Sequence, residues 1–231
     1  ARLFGIELLR NFSFPYFSRD VAEFWRRWHI SLSGWFRDYL YIPLGGSQGG
    51  LWIKVRNTFI IFLVSGFWHG ANWTFVIWGA LNGLFIVFAI VTKEAREKIW
   101  GLTRIPTMPK LNIGINIITT FTLITFSRIF FRSETLDQSV DVIKKIFTFS
   151  GSIANESVTM LAYSFFAIAF LIIAEFQMEF FPGKFSIANH KFFFVRNCYY
   201  AILILLILLV GVYDGGAVYI LSILDNDAKS Q

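Results

Sequence analysis

The chain has 231 residues, 55% of them hydrophobic and only 16% charged, with 28 Phe and 8 Trp. That composition excludes an ordinary soluble domain, because several apolar runs reach the ~20 residues that cross a bilayer as a helix. The formal net charge of +6 does not mark a nucleic-acid binder. The basic residues stand beside apolar runs, where positive-inside topology and anionic lipid headgroups account for them.

The first 18 residues are short and mixed, and Pro15 breaks any helix there. From Asp20 the spacing becomes helical. Val21, Phe24, Trp28, Leu32, Trp35 and Tyr39 recur every three or four residues, with Asp20, Glu23, Arg27, Gly34 and Asp38 on the opposite side. This predicts one amphipathic helix lying in the membrane interface, with Glu23 and Arg27 as an i,i+4 pair and His29 at the edge of the apolar face. Pro43 to Gly50 reads as a flexible turn. A phosphate loop would need a Lys-Ser/Thr ending or GxGxxG spacing, and neither is there.

Asn57 to His69 is apolar and short of a full span unless Trp52 to Arg56 extends it. Trp73 to Thr92, Asn112 to Phe131, Val158 to Phe176 and Phe192 to Tyr213 are long enough to span. Gly66 and Gly70, then Gly79 and Gly83, have the small-xxx-small spacing that lets membrane helices approach closely. Lys93 to Lys110 reads as a polar loop with two prolines and five basic residues. Ser133 to Phe149 reads as a second interfacial helix, with Ser133 as N-cap and Leu136 opening its apolar face. Basic residues crowd positions 1–56 and 93–110, which favours a cytoplasmic 93–110 loop and an external C-terminus. The expected architecture is all-α and polytopic: about four spanning helices, a short helix ending at His69, and interfacial helices. The chain opens at Ala1 with no signal peptide, and residues 1–231 are expected to be the C-terminal part of a single transmembrane domain whose N-terminal helices are missing.

Chemistry concentrates between Arg19 and Gly83, where seven of the eight tryptophans and two of the three histidines fall. Thr58, Ser65, His69 and Asn72 lie on one helical face, and such a stripe in an apolar segment faces protein or water rather than lipid. A charged imidazole there would cost several kcal/mol to desolvate, so His69 should be neutral. On these residues alone, a histidine bridging helices by hydrogen bonds and a catalytic histidine fit equally. No metal site is expected: Cys198 is the single cysteine, the histidines are far apart, and His190 sits in a charged loop where it reads as solvated.

The run Glu23-Phe24-Trp25-Arg26-Arg27-Trp28-His29-Ile30-Ser31-Leu32-Ser33, continuing through Trp35-Phe36-Arg37-Asp38 to Pro43-Leu44-Gly45-Gly46, resembles the first signature of the membrane-bound O-acyltransferase (MBOAT) family. Ser65 to Trp73, with Trp78-Gly79 and Asn82-Gly83, resembles its second. The wording is similar to the bacterial branch that includes the alginate O-acetyltransferase membrane subunit and the D-alanyl transfer protein of teichoic acid. Arg128-Ile129-Phe130-Phe131-Arg132-Ser133-Glu134-Thr135 and Val212-Tyr213-Asp214-Gly215 resemble that branch as well.

The resemblance implies the MBOAT fold and transfer of an acyl group from a thioester to a hydroxyl. It implies His69 as the catalytic base, and His29 as a second polar position, filled by His, Asn or Asp across branches, that orients the donor or stabilises charge. In the expected chemistry the imidazole takes the acceptor's proton as its oxygen attacks the thioester carbonyl, and Ser65, Asn72, His29 or a Trp indole N–H stabilises the oxyanion, with Trp28 and Trp68 expected among the substrate-binding residues. With no GxSxG elbow, direct transfer is favoured over an acyl-enzyme. Arg26, Arg27, Arg37 and Lys54 suit an acidic donor, acetyl-CoA or an acyl carrier protein, with membrane anchoring as the plainer reading of each; no tightly bound cofactor is expected. The implied setting is the bacterial inner membrane, multi-pass, amid membrane lipids. The implied acceptor is an extracytoplasmic polysaccharide, and the implied partner is a periplasmic or extracellular acetyltransferase. D-alanylation of teichoic acid, and a non-enzymatic transporter or channel subunit, are the competing readings. A passage through the protein is expected to meet His69 from both sides, with Trp68, Trp73 and Trp78 in its walls.

Overall fold

The computed structural model describes residues 5, 7–103, 105–150, 158–181 and 191–210. Among these every regular element is helical and none is a strand. Two compact units divide between Gly151 and Ser152.

The first unit starts with a 3₁₀ turn, Pro15–Phe17, followed by α1 (Val21–Arg27) and α2 (Ile30–Phe36), which runs on into a π-helical turn, Arg37–Tyr41. The spanning pair α3 (Gly50–His69) and α4 (Trp73–Val91) comes next, then α5 (Lys93–Gly101), a 3₁₀ turn at Ile105–Thr107, α6 (Pro109–Arg132) and α7 (Leu136–Thr148). The second unit contains α8 (Val158–Phe180) and α9 (Phe193–Val210). Among the described residues, four helices are long and apolar enough to cross a membrane: α3, α4, α6 and, over Leu161–Phe180, α8. At 1.5 Å per residue the 20 residues of α3 cover ~30 Å, the thickness of a hydrocarbon core.

The contact between α3 and α4 organises the first unit. A Cβ on Gly66 would collide with the Phe75 carbonyl oxygen, and one on Gly79 with the Phe62 carbonyl oxygen. The two backbones therefore touch where the small-xxx-small spacing allows it. On its other side α4 is joined to α6 through Asn82, which is fully buried and donates to the Trp78 carbonyl at 2.8 Å and the Ser127 hydroxyl at 3.2 Å. Val21, Phe24, Ile86 and Ile124 form the core where α1 meets α4 and α6.

Four readings of local structure are corrected. The single interfacial helix over 20–39 is broken: Trp28 is extended and His29 is left-handed, at φ 46° and ψ 52°. The break is held from outside the segment. Ser13 N–H donates to the Arg27 carbonyl, Ile30 N–H to the Asn11 carbonyl, and the Ser31 N–H and hydroxyl both to Asn11 Oδ1. Periodicity registers no partner so distant in sequence. The apolar stripe is split as a result, with Val21 and Phe24 buried but Trp35 and Tyr39 exposed, while Glu23, placed on the polar side, is buried.

The turn over 43–49 is pinned rather than flexible. Asn57, fully buried, donates through Nδ2 to the carbonyls of Leu44 and Gly46, both at 3.0 Å. The 93–110 loop contains α5, because Arg96 reaches back to the Ala89 carbonyl and Thr92 hydroxyl and Lys93 faces Glu97 one turn on. The N-cap of α7 is Thr135, whose hydroxyl accepts from Gln138 N–H. Ser133 instead ends α6, returning its hydroxyl to the Ile129 carbonyl.

Candidate active site

His69 is the last residue of α3, at the tip of the α3–α4 hairpin. Its ring is enclosed by aromatic edges: Phe131 at 5.0 Å, Trp78 at 5.2 Å, and Trp68, its sequence neighbour, at 5.0 Å, all near perpendicular. His29 reaches the same place from the break between α1 and α2, its ring 4.9 Å from Phe12 and 5.6 Å from Trp28. Both histidines line one cavity of about 530 Å³, between α1, α2 and α3 with Ile86 of α4.

Thr58, Ile61, Phe62, Ser65 and His69 form the α3 wall of that cavity, and Trp25 and Arg26 belong to the α1 wall. Thr58 and His69 are eleven residues apart, so the wall runs ~16 Å along α3. Polar groups are few and lie along an otherwise apolar wall, the usual composition of a site for a small or elongated organic ligand. Arg26 and Arg37 line it too; Arg37 is exposed and pairs with Asp38 at 2.8 Å.

Not every residue singled out from the sequence is in this lining. Ser65, Arg26, His29 and His69 are. Asn72 is not: its Oδ1 accepts from Thr74 N–H as the N-cap of α4, and its Nδ2 donates to the Glu134 carbonyl at 2.8 Å. Arg27 is held by Glu23 at 2.7 Å. Trp28 packs behind His29, Trp68 and Trp73 are largely exposed, and Trp78 is buried against His69 but outside the cavity lining, in which Trp25 is the tryptophan. His190 and the 212–215 motif lie outside the described residues.

Glu23 anchors the base of α1. Burial alone would raise its pKa, but hydrogen bonds from the Arg19 side chain and backbone and the charge of Arg27 outweigh that and lower it from 4.5 to about 2. Two groups escaped the sequence reading. Phe131 closes over His69 from α6, and Trp25 carries a buried indole N–H with no hydrogen-bond partner among the described residues. Nothing in the periodicity of α6 shows which of its phenylalanines meets α3.

The left-handed backbone at His29 costs of order 1–3 kcal/mol for most side chains. His, Asn and Asp occupy that region several-fold more often than other non-glycine residues. The residue at this joint is therefore constrained twice, by its backbone and by its place on the cavity.

A polytopic helical chain with two histidines on one apolar cavity matches the model of the MBOAT, membrane-bound O-acyltransferase, family over residues 3–132, and the chain belongs to that family. It is 36% identical to the Pseudomonas aeruginosa protein named "Probable alginate O-acetylase AlgI" over 181 residues, 77% of this chain and 33% of that protein. It is 40% identical to the Helicobacter pylori peptidoglycan O-acetyltransferase over 148 residues, 64% of this chain and 27% of the other. Against the Streptococcus thermophilus teichoic acid D-alanyltransferase it is 40% identical over 94 residues, 38% of this chain and 23% of the other. The chain thus spans about a third of the length of the relatives it matches best over its own length.

Proposed function

We propose that this chain carries the acyl-transfer centre of an O-acyltransferase that moves an acetyl group from a thioester to hydroxyls of an extracytoplasmic polysaccharide, with His69 as general base. The observation that carries the reading is the shared cavity: His69, packed against aromatic rings, and His29 both line one largely apolar cavity whose α3 wall runs ~16 Å and whose lining also includes Arg26 and Arg37. An imidazole nitrogen of His69 takes the proton of the acceptor hydroxyl as its oxygen attacks the thioester carbonyl carbon. The carbon–sulfur bond breaks, and the leaving thiolate recovers that proton. Oxyanion stabilisation falls to polar groups of the cavity lining, the Ser65 hydroxyl and His29, rather than to Asn72, whose amide is already bonded.

Arg26 and Arg37 suit the acidic groups of acetyl-CoA or of an acyl carrier protein. The acetyl reading is preferred to D-alanylation because the likeness to O-acetylating relatives extends over twice as much of the chain. The inner membrane, and a periplasmic or extracellular partner that completes the transfer, follow from the same reading.

Purified full-length protein should release acetyl from labelled acetyl-CoA or an acetylated carrier faster than D-alanine from an alanylated carrier. The opposite order would replace acetylation by alanylation, and release of neither would favour a non-enzymatic role. The role of His29 is tested by His29→Gly, since glycine fits the left-handed backbone but has no imidazole. A polar role predicts that His29→Gly loses transfer while His29→Asn retains part of it. Full activity in His29→Gly would reduce His29 to a backbone joint.

A further inference from the structure

Arg128 is a charged residue in a spanning helix, and the chemistry described so far leaves it without a task. It lies one turn from the C-terminal end of α6, and intramembrane charges need partners. Its guanidinium sits 4.4 Å from the centre of the Trp28 ring and 5.5 Å from that of Tyr16, and its Nη1 donates to the Tyr16 hydroxyl at 2.8 Å. Trp28 is otherwise clamped by Phe24, stacked at 5.6 Å, and by Phe12, edge-on at 4.8 Å. Its next neighbour in the chain is His29, against which it lies edge-on.

Three residues further along α6, Phe131 rests on His69. One turn of α6 therefore touches the supports of both histidines: Phe131 meets His69 directly, and Arg128 meets the tryptophan behind His29. A rigid helical turn of this kind fixes the spacing between two groups carried by different elements.

We infer that Arg128 is a positioning residue that holds His29 against the cavity through Trp28. This rests on the reading that His29 belongs to the transfer site. Cation–π attraction is directional and strongest where water is excluded, so the guanidinium fixes the indole plane. The Tyr16 bond fixes the guanidinium, and the stiff link from Trp28 to a left-handed His29 passes that placement on. Trp28 is thereby a strut rather than a surface for substrate.

The test uses the full-length protein in nanodiscs with Arg128→Met, Arg128→Lys, Tyr16→Phe and His29→Gly. Diethyl pyrocarbonate modification of each histidine is followed by mass spectrometry, alongside turnover with labelled acetyl-CoA. Arg128→Met should raise His29 modification by roughly fivefold, with His69 nearly unchanged, and lower kcat by roughly tenfold with little change in KM. Arg128→Lys, which keeps a cation over the ring, should recover most of both. A folded Arg128→Met protein with wild-type His29 reactivity overturns the inference, and so does a loss of turnover that Lys does not relieve. If Arg128→Met does not fold, Tyr16→Phe decides: it should move His29 reactivity in the same direction, and no movement overturns the inference. Full turnover in His29→Gly would instead remove His29 from the site, while its reactivity in Arg128→Met would still report on Arg128.

Discussion

Replacing Gly79 by alanine perturbs the α3–α4 contact at its tightest point. The added methyl would fall on the Phe62 carbonyl oxygen and lie 3.1 Å from the Gly66 Cα. A backbone carbonyl cannot rotate away as a side chain can, so the helices must part by roughly 1 Å to restore an ordinary contact. Overpacking of this kind costs ~1–3 kcal/mol. The larger effect falls on chemistry. His69 is three residues beyond Gly66, and Trp78, which borders its ring, is next to Gly79. A shift of ~1 Å in a reacting group can cost ~10²-fold in rate. Gly79→Ala is thus expected to lose roughly 10²-fold in acetyl transfer while staying folded. Gly66→Ala should match it, because its methyl meets the Phe75 carbonyl oxygen in the same interface. The double variant should be little worse than either single one, since one separation accommodates both methyls. Gly83→Ala, whose methyl would lie 3.1 Å from the movable Phe59 ring and from the Phe62 Cβ rather than on a carbonyl oxygen, should be mildest. The assay is transfer from labelled acetyl-CoA with a parallel thermal melt of the detergent-purified full-length protein. Wild-type transfer in Gly79→Ala, or a double-variant loss equal to the product of the two single losses, would refute the reasoning.

The other predictions concern the supports of the site. Glu23 titrates at about 2 in the folded protein against 4.5 ordinarily, so its contribution is complete above pH 4.5 and is lost as pH falls toward 2. Glu23→Gln should remove that acid-dependent loss of melting temperature, worth at most about 3 kcal/mol and less for the solvent around Arg19. Asn57→Ala should free the 43–49 turn, costing ~1–3 kcal/mol and speeding proteolysis between Gly45 and Gly50, whereas Asn57→Asp should recover neither carbonyl bond. Ser65→Phe, placed in the cavity wall, should block transfer without lowering the melting temperature by more than a few degrees; Gly70 and Ala71 are outside the lining, so bulk there would not fill the cavity, and at Gly70 an added Cβ would meet the Phe75 ring at 2.8 Å instead.

Much of the scaffold was legible because hydropathy and length decide what crosses a membrane. The ends of α4, and the extension of α3 back to Gly50 that Trp52 to Arg56 suggested, follow from that. His69, at the end of an apolar run, stood out for the same reason. The interfacial region was not legible in the same way. Its helix is broken by hydrogen bonds from Asn11 and Ser13, and the 43–49 turn is pinned by Asn57, contacts between residues that no local period relates. Asn72 shows the limit of a helical stripe: it shares a face with His69 by spacing, yet α3 ends at His69 and the asparagine caps the next helix instead. The partners of Arg128 and Phe131 were not legible, since tertiary packing alone determines that one meets Trp28 and the other His69.

The central claim is that His69 is the proton acceptor of the transfer. Its most direct measurement is single-turnover acetyl transfer by full-length His69→Gln, whose amide keeps much of the imidazole's bulk but cannot serve as a base. General base catalysis is worth ~10²–10⁴-fold, so the account predicts a rate lower by at least ~10²-fold, with the melting temperature and binding of the thioester donor retained. A folded His69→Gln protein that transfers acetyl at close to the wild-type rate would contradict it.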